Sequence, residues 1–286
     1  MADLGRPTKT VEIIQKYNFN FRKKFGQNFL IDEGILEKIV SAAEVTKDDV
    51  VLEIGPGIGS MTQYLAEAAG KVIAVEIDDQ LIPILKETLS PYDNVTVIHG
   101  DVMKTDLKKL SEEYGDGKPF KVVANLPYYI TTPIIMRLLE DDVPTKRITV
   151  MVQKEVAERI KEKPGSKEYG AISLSVQYYA KPEIACIVPP NCFMPRPNVD
   201  SAVLNLDPYE TAPVSVKNPK FMFQIIRASF NQRRKTLANG IAGGGLGIDR
   251  LTVEEVLESL GMPKTVRGET LGLTEFAKIA DALKEH

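Results

Sequence analysis

Histidine and cysteine are nearly missing from this chain of 286 residues, which has two of each. His286 is the final residue and His99 stands alone, so Ser-His-Asp, Cys-His and His-ligated metal chemistries are poorly supported. Cys186 and Cys192, in IACIVPPNCF, would need further ligands to hold a metal, and both read as small buried hydrophobes. No metal is expected. Long apolar runs are missing too, none approaching the roughly 20 residues of a membrane-crossing helix. The opening MADLGRPTKTVEIIQKYNF lacks the apolar core of a secretory signal. The expectation is a cytoplasmic protein that does not meet a membrane.

Net positive charge is lacking as well: the formal charge is -3, which by itself speaks against a nucleic-acid partner. The average hides an asymmetry. Residues 1–26 hold six Lys/Arg against two acids, and residues 217–237 hold six against none. Two strongly basic segments on an acidic body suit the grip of a phosphate backbone. They also suit two solvated helix faces, and charge counts do not separate these readings.

What the chain does have is length enough for a substantial core and two domains, at an ordinary 43% hydrophobic and 26% charged residues. From residue 50, VVLEIGPG, KVIAVEID, NVTVIHGDV, KVVANLPY and RITVMVQK are apolar, β-branched runs. Between them SMTQYLAEAAG, DQLIPILKETLS and TTPIIMRLLED have helical period. Strands that are apolar throughout, separated by amphipathic helices, predict an α/β, doubly wound, mostly parallel sheet. After Gly170, SLSVQYYAKPEIACIV and DSAVLNLDP read as strands of an antiparallel edge, joined by the proline-rich PPNCFMPRPN. DPYETAPVSVKNP reads as a linker. FMFQIIRASFNQRRKTLANGI, TVEEVLESLGM and LTEFAKIADALKEH read as helices, with GGGLG a loop. The organisation expected is a basic N-terminal arm over 1–30, the α/β domain over 31–208 and a small helical domain over 209–286.

EIGPGIGSMT closes the first strand and opens a helix. Gly55, Gly57 and Gly59 allow a tight turn and close approach to a ligand. A dinucleotide fingerprint would put its third glycine at position 60, where this chain has Ser60. The mismatch disfavours NAD, and the G-x-G-x-G spacing resembles the class I S-adenosylmethionine (SAM) methyltransferases. The second strand ends in Glu76, about 20 residues on, where an acid can accept both ribose hydroxyls. The third ends near Asp101, whose carboxylate can meet an adenine amino group. Ile77 and Val102, next to these acids, join the cofactor candidates. All lie at the carboxyl ends of successive strands, where open α/β sheets bind ligands.

NLPY ends the fourth strand, beside that cofactor site. The exocyclic amine of adenine is a poor nucleophile because its lone pair is delocalised into the ring. Two acceptors holding both N–H bonds would let the lone pair rehybridise toward a sulfonium methyl carbon. Asn125 offers a side-chain carbonyl; Leu126 offers its backbone carbonyl, presented there because Pro127 restricts the preceding residue and removes a donor. Tyr128 can stack on the base. Tyr129 reads as packing. Phe193, in FMPRPNVDS, reads either as a second wall of the base pocket or as a core residue under a loop.

Taken together, KKFGQNFL, EIGPGIGSMT, NLPYYITTPI, MVQKEVAERI, FMPRPNVDSAV and FNQRRKTL resemble the small-subunit (16S) ribosomal RNA adenine N6,N6-dimethyltransferases of the bacterial kasugamycin-resistance type, over nearly the whole chain. The resemblance implies a SAM-binding catalytic domain, with SAM contacts from Asn28, Leu30, Gly55, Glu76, Asp101 and Asn125. It implies a target adenine held by Asn125, Leu126, Tyr128 and Phe193, and GQNFL as a lid on the cofactor. The implied substrate is a pair of adjacent adenosines in a hairpin near the 3′ end of 16S rRNA, dimethylated within the assembling small subunit by a monomer. Arg22, Lys23, Lys24, Arg233, Arg234 and Lys235 would then hold RNA phosphates. Family members often carry Asn where this chain has Tyr129.

A large-subunit (23S) rRNA adenine methyltransferase of the macrolide-resistance kind shares the fold and the NLPY-type motif, but Pro133 and FMPRPNVDSAV favour the small-subunit enzyme. A non-catalytic assembly factor is disfavoured by intact Glu76, Asp101 and Asn125. A dinucleotide oxidoreductase is disfavoured by Ser60.

Overall fold

A computed structural model describes residues 3–115, 117–141 and 143–285, the Lys23 side chain excepted; His286 lies outside this range. The apolar runs form strands β1 (Val50–Ile54), β2 (Lys71–Glu76), β3 (Val95–His99), β4 (Phe120–Asn125) and β5 (Thr145–Gln153), followed by β6 (Ala180–Val188) and β7 (Ser201–Pro208). They make one seven-stranded sheet in the order β3-β2-β1-β4-β5-β7-β6. β1 to β5 pair in parallel, and β7 lies antiparallel to β5. Leu52, Ile73, Val122, Ile148 and Leu204 are fully buried, as expected of strands covered on both faces. The expected α/β, mostly parallel sheet is the fold.

Register places the site. Ile54 lies opposite Val75 and Ala124, Glu76 opposite His99, and Asn125 opposite Met151. The carboxyl ends of β1 to β4 therefore share one edge. The chain winds outward from β1 through β2 to β3 and then crosses to β4 on the other side. That reversal opens a crevice at the ends of β1 and β4, the position at which doubly wound sheets take ligands. The helix Ser60–Ala68 starts there behind Gly59, whose φ of 96° is a left-handed conformation suited to glycine.

The chain forms two compact units. One comprises the chain through Ala157 with Lys181–Pro208; the other comprises Glu158–Ala180 with the chain from Tyr209 onward. The second unit has its own core around Leu174, Tyr178, Phe223, Ile226, Val256 and Phe276. The segment 158–180, expected within the α/β domain, thus belongs to the helical unit. Part of the expected edge strand is also corrected: Ala171–Tyr179 is a helix, and the strand begins only at Ala180. The run SLSVQYY satisfies a period of two and an i, i+4 spacing equally, and burial decides between them. Leu174 and Tyr178 enter the helical core, where Tyr178 meets Phe223 edge-on at 5.2 Å. The Gly170 N–H donates to Ser173 Oγ at 3.1 Å, fixing the first turn.

FMFQIIRASFNQRRKTLANGI is two helices, Pro219–Asn231 and Leu237–Ala242. Thr236 caps the second by accepting the Asn239 N–H, which leaves Arg233, Arg234 and Lys235 on the turn between them. Among the described residues, no helix is long and apolar enough to cross a membrane. No group of three or more His, Cys, Asp or Glu among them is placed to hold a metal ion. Cys192 is buried and Cys186 half-buried, both as free thiols.

Candidate active site

A cavity opens at the carboxyl ends of β1, β2 and β4. Its floor is the Gly55–Ile58 loop with Glu53 beneath; Glu76, Ile77, Asp101 and Val102 line one side, and Asn125–Ile130 the other. The fourth wall is the N-terminal segment Phe25–Leu30. An ideal Cβ at Gly55 would meet nothing within 4 Å, whereas one at Gly57 would lie 3.0 Å from the Phe29 ring. The loop thus presents bare backbone on one side and lets the N-terminal wall approach on the other.

The cavity is acidic. Glu53, Glu76 and Asp101 line it, and no lysine, arginine or histidine does among the described residues. Glu76 accepts the Gly57 N–H at 3.2 Å and the Asp78 N–H at 2.8 Å. Burial nevertheless raises its pKa from 4.5 to about 7 against those bonds. Glu53 is fully buried, and neither carboxylate oxygen has a hydrogen-bond partner among the described residues. Burial raises its pKa to about 8; the neighbouring Thr62 hydroxyl lowers it in part, and the charge of Glu76 adds to the rise.

Asn125 ends β4, and its Nδ2 donates to the Asn28 carbonyl at 2.9 Å. A backbone carbonyl only accepts, so this bond fixes which way the amide faces and leaves Oδ1 as the free acceptor. Leu126 is held to β5 through its N–H on the Met151 carbonyl, and the Pro127 carbonyl accepts from Ile130 N–H and Thr131 Oγ, closing the turn. Tyr128 lines the cavity with its hydroxyl 2.8 Å from Ser201 Oγ, and burial keeps it a neutral phenol.

The N-terminal wall is clamped down. Gln27 Nε2 donates to Asp78 Oδ2 at 2.6 Å, Arg22 pairs with Asp78 at 2.8 Å and Asp79 at 2.7 Å, and the Arg22 N–H donates to Gln27 Oε1. Phe29–Leu30 pairs antiparallel with Phe193–Met194. Phe29 also packs with Phe19 and Phe21, at ring separations of 5.6 and 5.2 Å.

Comparison with known proteins follows the same lines. Residues 18–278 match the family model for ribosomal RNA adenine dimethylase. The chain belongs to the ribosomal RNA adenine dimethylase family. It is 61% identical to ribosomal RNA small subunit methyltransferase A of Lachnoclostridium phytofermentans, over 100% of this chain and 99% of that protein. It is 52% identical to the protein of the same name from Bacillus pumilus, over 99% and 98%. Among solved structures it resembles a dimethyladenosine transferase from Plasmodium falciparum, at 30% identity and TM-score 0.74 over 88% of this chain and 95% of that one. It also resembles the 23S rRNA methyltransferase ErmE, at 25% identity and TM-score 0.66 over 90% and 99%.

The dimethylase is a SAM-dependent methyltransferase, and the cavity fits that cofactor. The open space over Gly55 admits a ligand, three carboxyls without a lining cation suit a cationic one, and Ile77, 43% exposed, offers an apolar face to a ring. Asn28, Leu30, Gly55, Gly57, Glu76, Ile77, Asp101, Val102 and Asn125 all line this one cavity, as do Leu126, Pro127 and Tyr128.

Three expectations are corrected. Phe193 does not line the cavity: it is 4% exposed and buried in the core, where it pairs with Leu30. Tyr129 is not packing: it is 60% exposed and fronts the cavity, beside Gly26. Arg22 does not offer a free charge to solvent, because Asp78 and Asp79 hold it. Lys24 is exposed, with its ammonium 4.4 Å from the Phe25 ring; Lys23 falls on a side chain outside the described residues. Sequence reasoning missed Glu53 and the Gln27–Asp78–Arg22 clamp. Glu53 had a signal, a lone acid inside the apolar run VVLEI; the clamp joins residues over 50 positions apart and had none.

Glu53 also makes a stability statement. Its pKa is raised from 4.5 to about 8 on folding, so between those values the native state holds more protons than the unfolded chain. Stability therefore falls as pH rises through that window. Glu53→Gln is expected to flatten the decline and to be more stable than the parent above about pH 8, by a few kcal/mol at most at about 1.4 kcal/mol per unit. Calorimetric melting from about pH 5 to 9 checks this; the same slope in both proteins would contradict it.

Proposed function

We propose that this dimethylase transfers methyl groups from SAM to the N6 amines of two adjacent adenosines in the 3′-terminal hairpin of 16S rRNA, giving N6,N6-dimethyladenosine, within the assembling small subunit in the cytoplasm. The observation that carries the reading is the oriented Asn125 amide at the cavity wall. SAM, when bound, supplies an electrophilic methyl carbon. Asn125 Oδ1 and the Leu126 carbonyl accept the two N–H bonds of the target amine, drawing its lone pair out of conjugation toward that carbon. The proton left on the amine nitrogen after transfer would pass to water. Tyr128 stacks on the flipped base, a contact worth roughly 1–3 kcal/mol. Gly55, Gly57, Glu76, Ile77, Asp101 and Val102 hold the cofactor, and Phe25–Leu30 acts as its lid.

The similarity to ErmE raises 23S rRNA as a second substrate, but the relatives matching nearly end to end carry the small-subunit name. The deciding experiment maps methyl groups by mass after reaction with unmethylated subunits. Two neighbouring adenines of 16S rRNA should each gain two methyls; label in large-subunit RNA would overturn the proposal. In the same assay Asn125→Ala should lower transfer by about 10²-fold or more, the scale for losing one preorganised polar contact to the transition state, while RNA is still retained.

For RNA grip the reading places phosphate contacts on Arg234 and Lys235, which are exposed, and gives Arg233 a supporting part, because it pairs with Glu269 at 2.6 Å and donates to the Ser166 carbonyl. Replacing Arg234 and Lys235 by Ala should weaken binding across RNA sequences and reduce the salt slope by about 1 per residue. A filter-binding salt titration with unchanged slope would remove these residues from the interface.

A further inference from the structure

The segment FMPRPNVDSAV does not reach the cavity through Phe193, which is buried in the core. It reaches the cavity wall through Ser201. This residue opens β7 and is 0% exposed. The antiparallel ladder sets it opposite Gln153, the last residue of β5, and the following Lys154 N–H donates to the Asp200 carbonyl at 3.0 Å. The backbone that carries Ser201 is therefore fixed on both sides of it. Its Oγ lies 2.8 Å from the Tyr128 hydroxyl, 73 residues away in sequence. Tyr128 sits in the turn after β4, which is held by the Leu126 N–H on the Met151 carbonyl and the Ile130 N–H on the Pro127 carbonyl. A tyrosine anchored only at its Cα can swing about two torsions; a bond at the far end of the ring fixes the direction of its axis. Half-buried as it is, the phenol loses more on leaving its partner than it would in open water. Among the described residues Tyr128 lines the cavity and Ser201 does not, so whatever Ser201 does for the site it does through this ring.

We propose that Ser201 is a positioning residue for methyl transfer: its hydroxyl pins the tip of Tyr128 and thereby sets the tilt of the target base that stacks on the ring. The inference rests on Tyr128 stacking on the flipped base. Asn125 and Leu126 settle where the amine nitrogen sits, but two hydrogen bonds at one nitrogen leave the base able to rock about that point. A ring attached at both ends removes this freedom, and the lone pair stays aimed along the line of attack. The tether also ties the turn after β4 to β7, across β5, so the base wall moves with the sheet rather than with the turn. The same ring surface is offered with the bond or without it. Loss of the tether therefore spares the contact area that binds the base and spoils its alignment, which places the effect in kcat more than in KM.

The test measures kcat and KM of the purified protein on unmethylated small subunits, at saturating SAM and one fixed pH. Tyr128→Phe keeps the ring and removes the tether, and Ser201→Ala removes it from the other side. Each should lower kcat by roughly 3- to 10-fold, the scale of one neutral hydrogen bond, with KM within about 2-fold of the parent. The double variant should be no slower than the slower single one, because both changes delete the same bond. Parental kcat in either single variant, a loss confined to KM, or losses that multiply in the double variant overturns the inference. Tyr128→Ala separates it from the reading on which it rests. That variant should lose both rate and RNA affinity; parental activity there overturns the stacking role and the inference together, whereas an impaired Tyr128→Ala beside a parental Tyr128→Phe overturns the inference alone. Should Ser201→Ala not fold, the kcat of Tyr128→Phe decides by itself.

Discussion

One hydrogen bond organises the site: Asn125 Nδ2 to the Asn28 carbonyl, 2.9 Å across 97 residues of chain. An amide has two ends of opposite character, and a catalytic acceptor works only if the oxygen faces the substrate. Here the N-terminal segment settles the choice. It does so only because it is itself pinned, by Gln27 and Arg22 on Asp78, by the ladder with Phe193–Met194 and by the phenylalanine cluster under Phe29. A wall of the cavity and the orientation of the Asn125 amide are thus one structural event.

The sheet makes the rest possible. Parallel strands in register bring Gly55, Glu76 and Asn125 to one edge although they are far apart in sequence. The same edge concentrates acids in a place that no basic residue lines among the described residues. Such a cavity resists anions and receives cations, and burial raises the pKa of its two most buried carboxyls, Glu53 and Glu76.

Much of this was legible from residues alone. The apolar runs with helices between them fixed the doubly wound sheet, and the glycine loop with Glu76 and Asp101 at strand ends marked the cavity. NLPY could be read as part of the cavity because the task proposed for it, two acceptors and a stacking ring, is written in neighbouring residues, all of which line the cavity. What escaped was set by contacts between distant segments. Ala171–Tyr179 became a helix because its apolar face joined the second core. Phe193 went inside because the ladder with Leu30 took it there, and Tyr129 came out to the cavity mouth. Arg22 looked like one more cation of a basic arm until Asp78 and Asp79 were found against it. Local spelling names the chemistry; long-range packing decides which side chains remain free to perform it.

The account stands on the orientation of the Asn125 amide, and the most direct measurement is a crystal structure of the protein with a SAM analogue and an adenine nucleotide. Asn125 Oδ1 should lie about 3 Å from the adenine N6, a hydrogen-bond distance, with Nδ2 still on the Asn28 carbonyl and the analogue against the Gly55 loop. An analogue lodged elsewhere, or an amide turned with its oxygen away from the base, would contradict it.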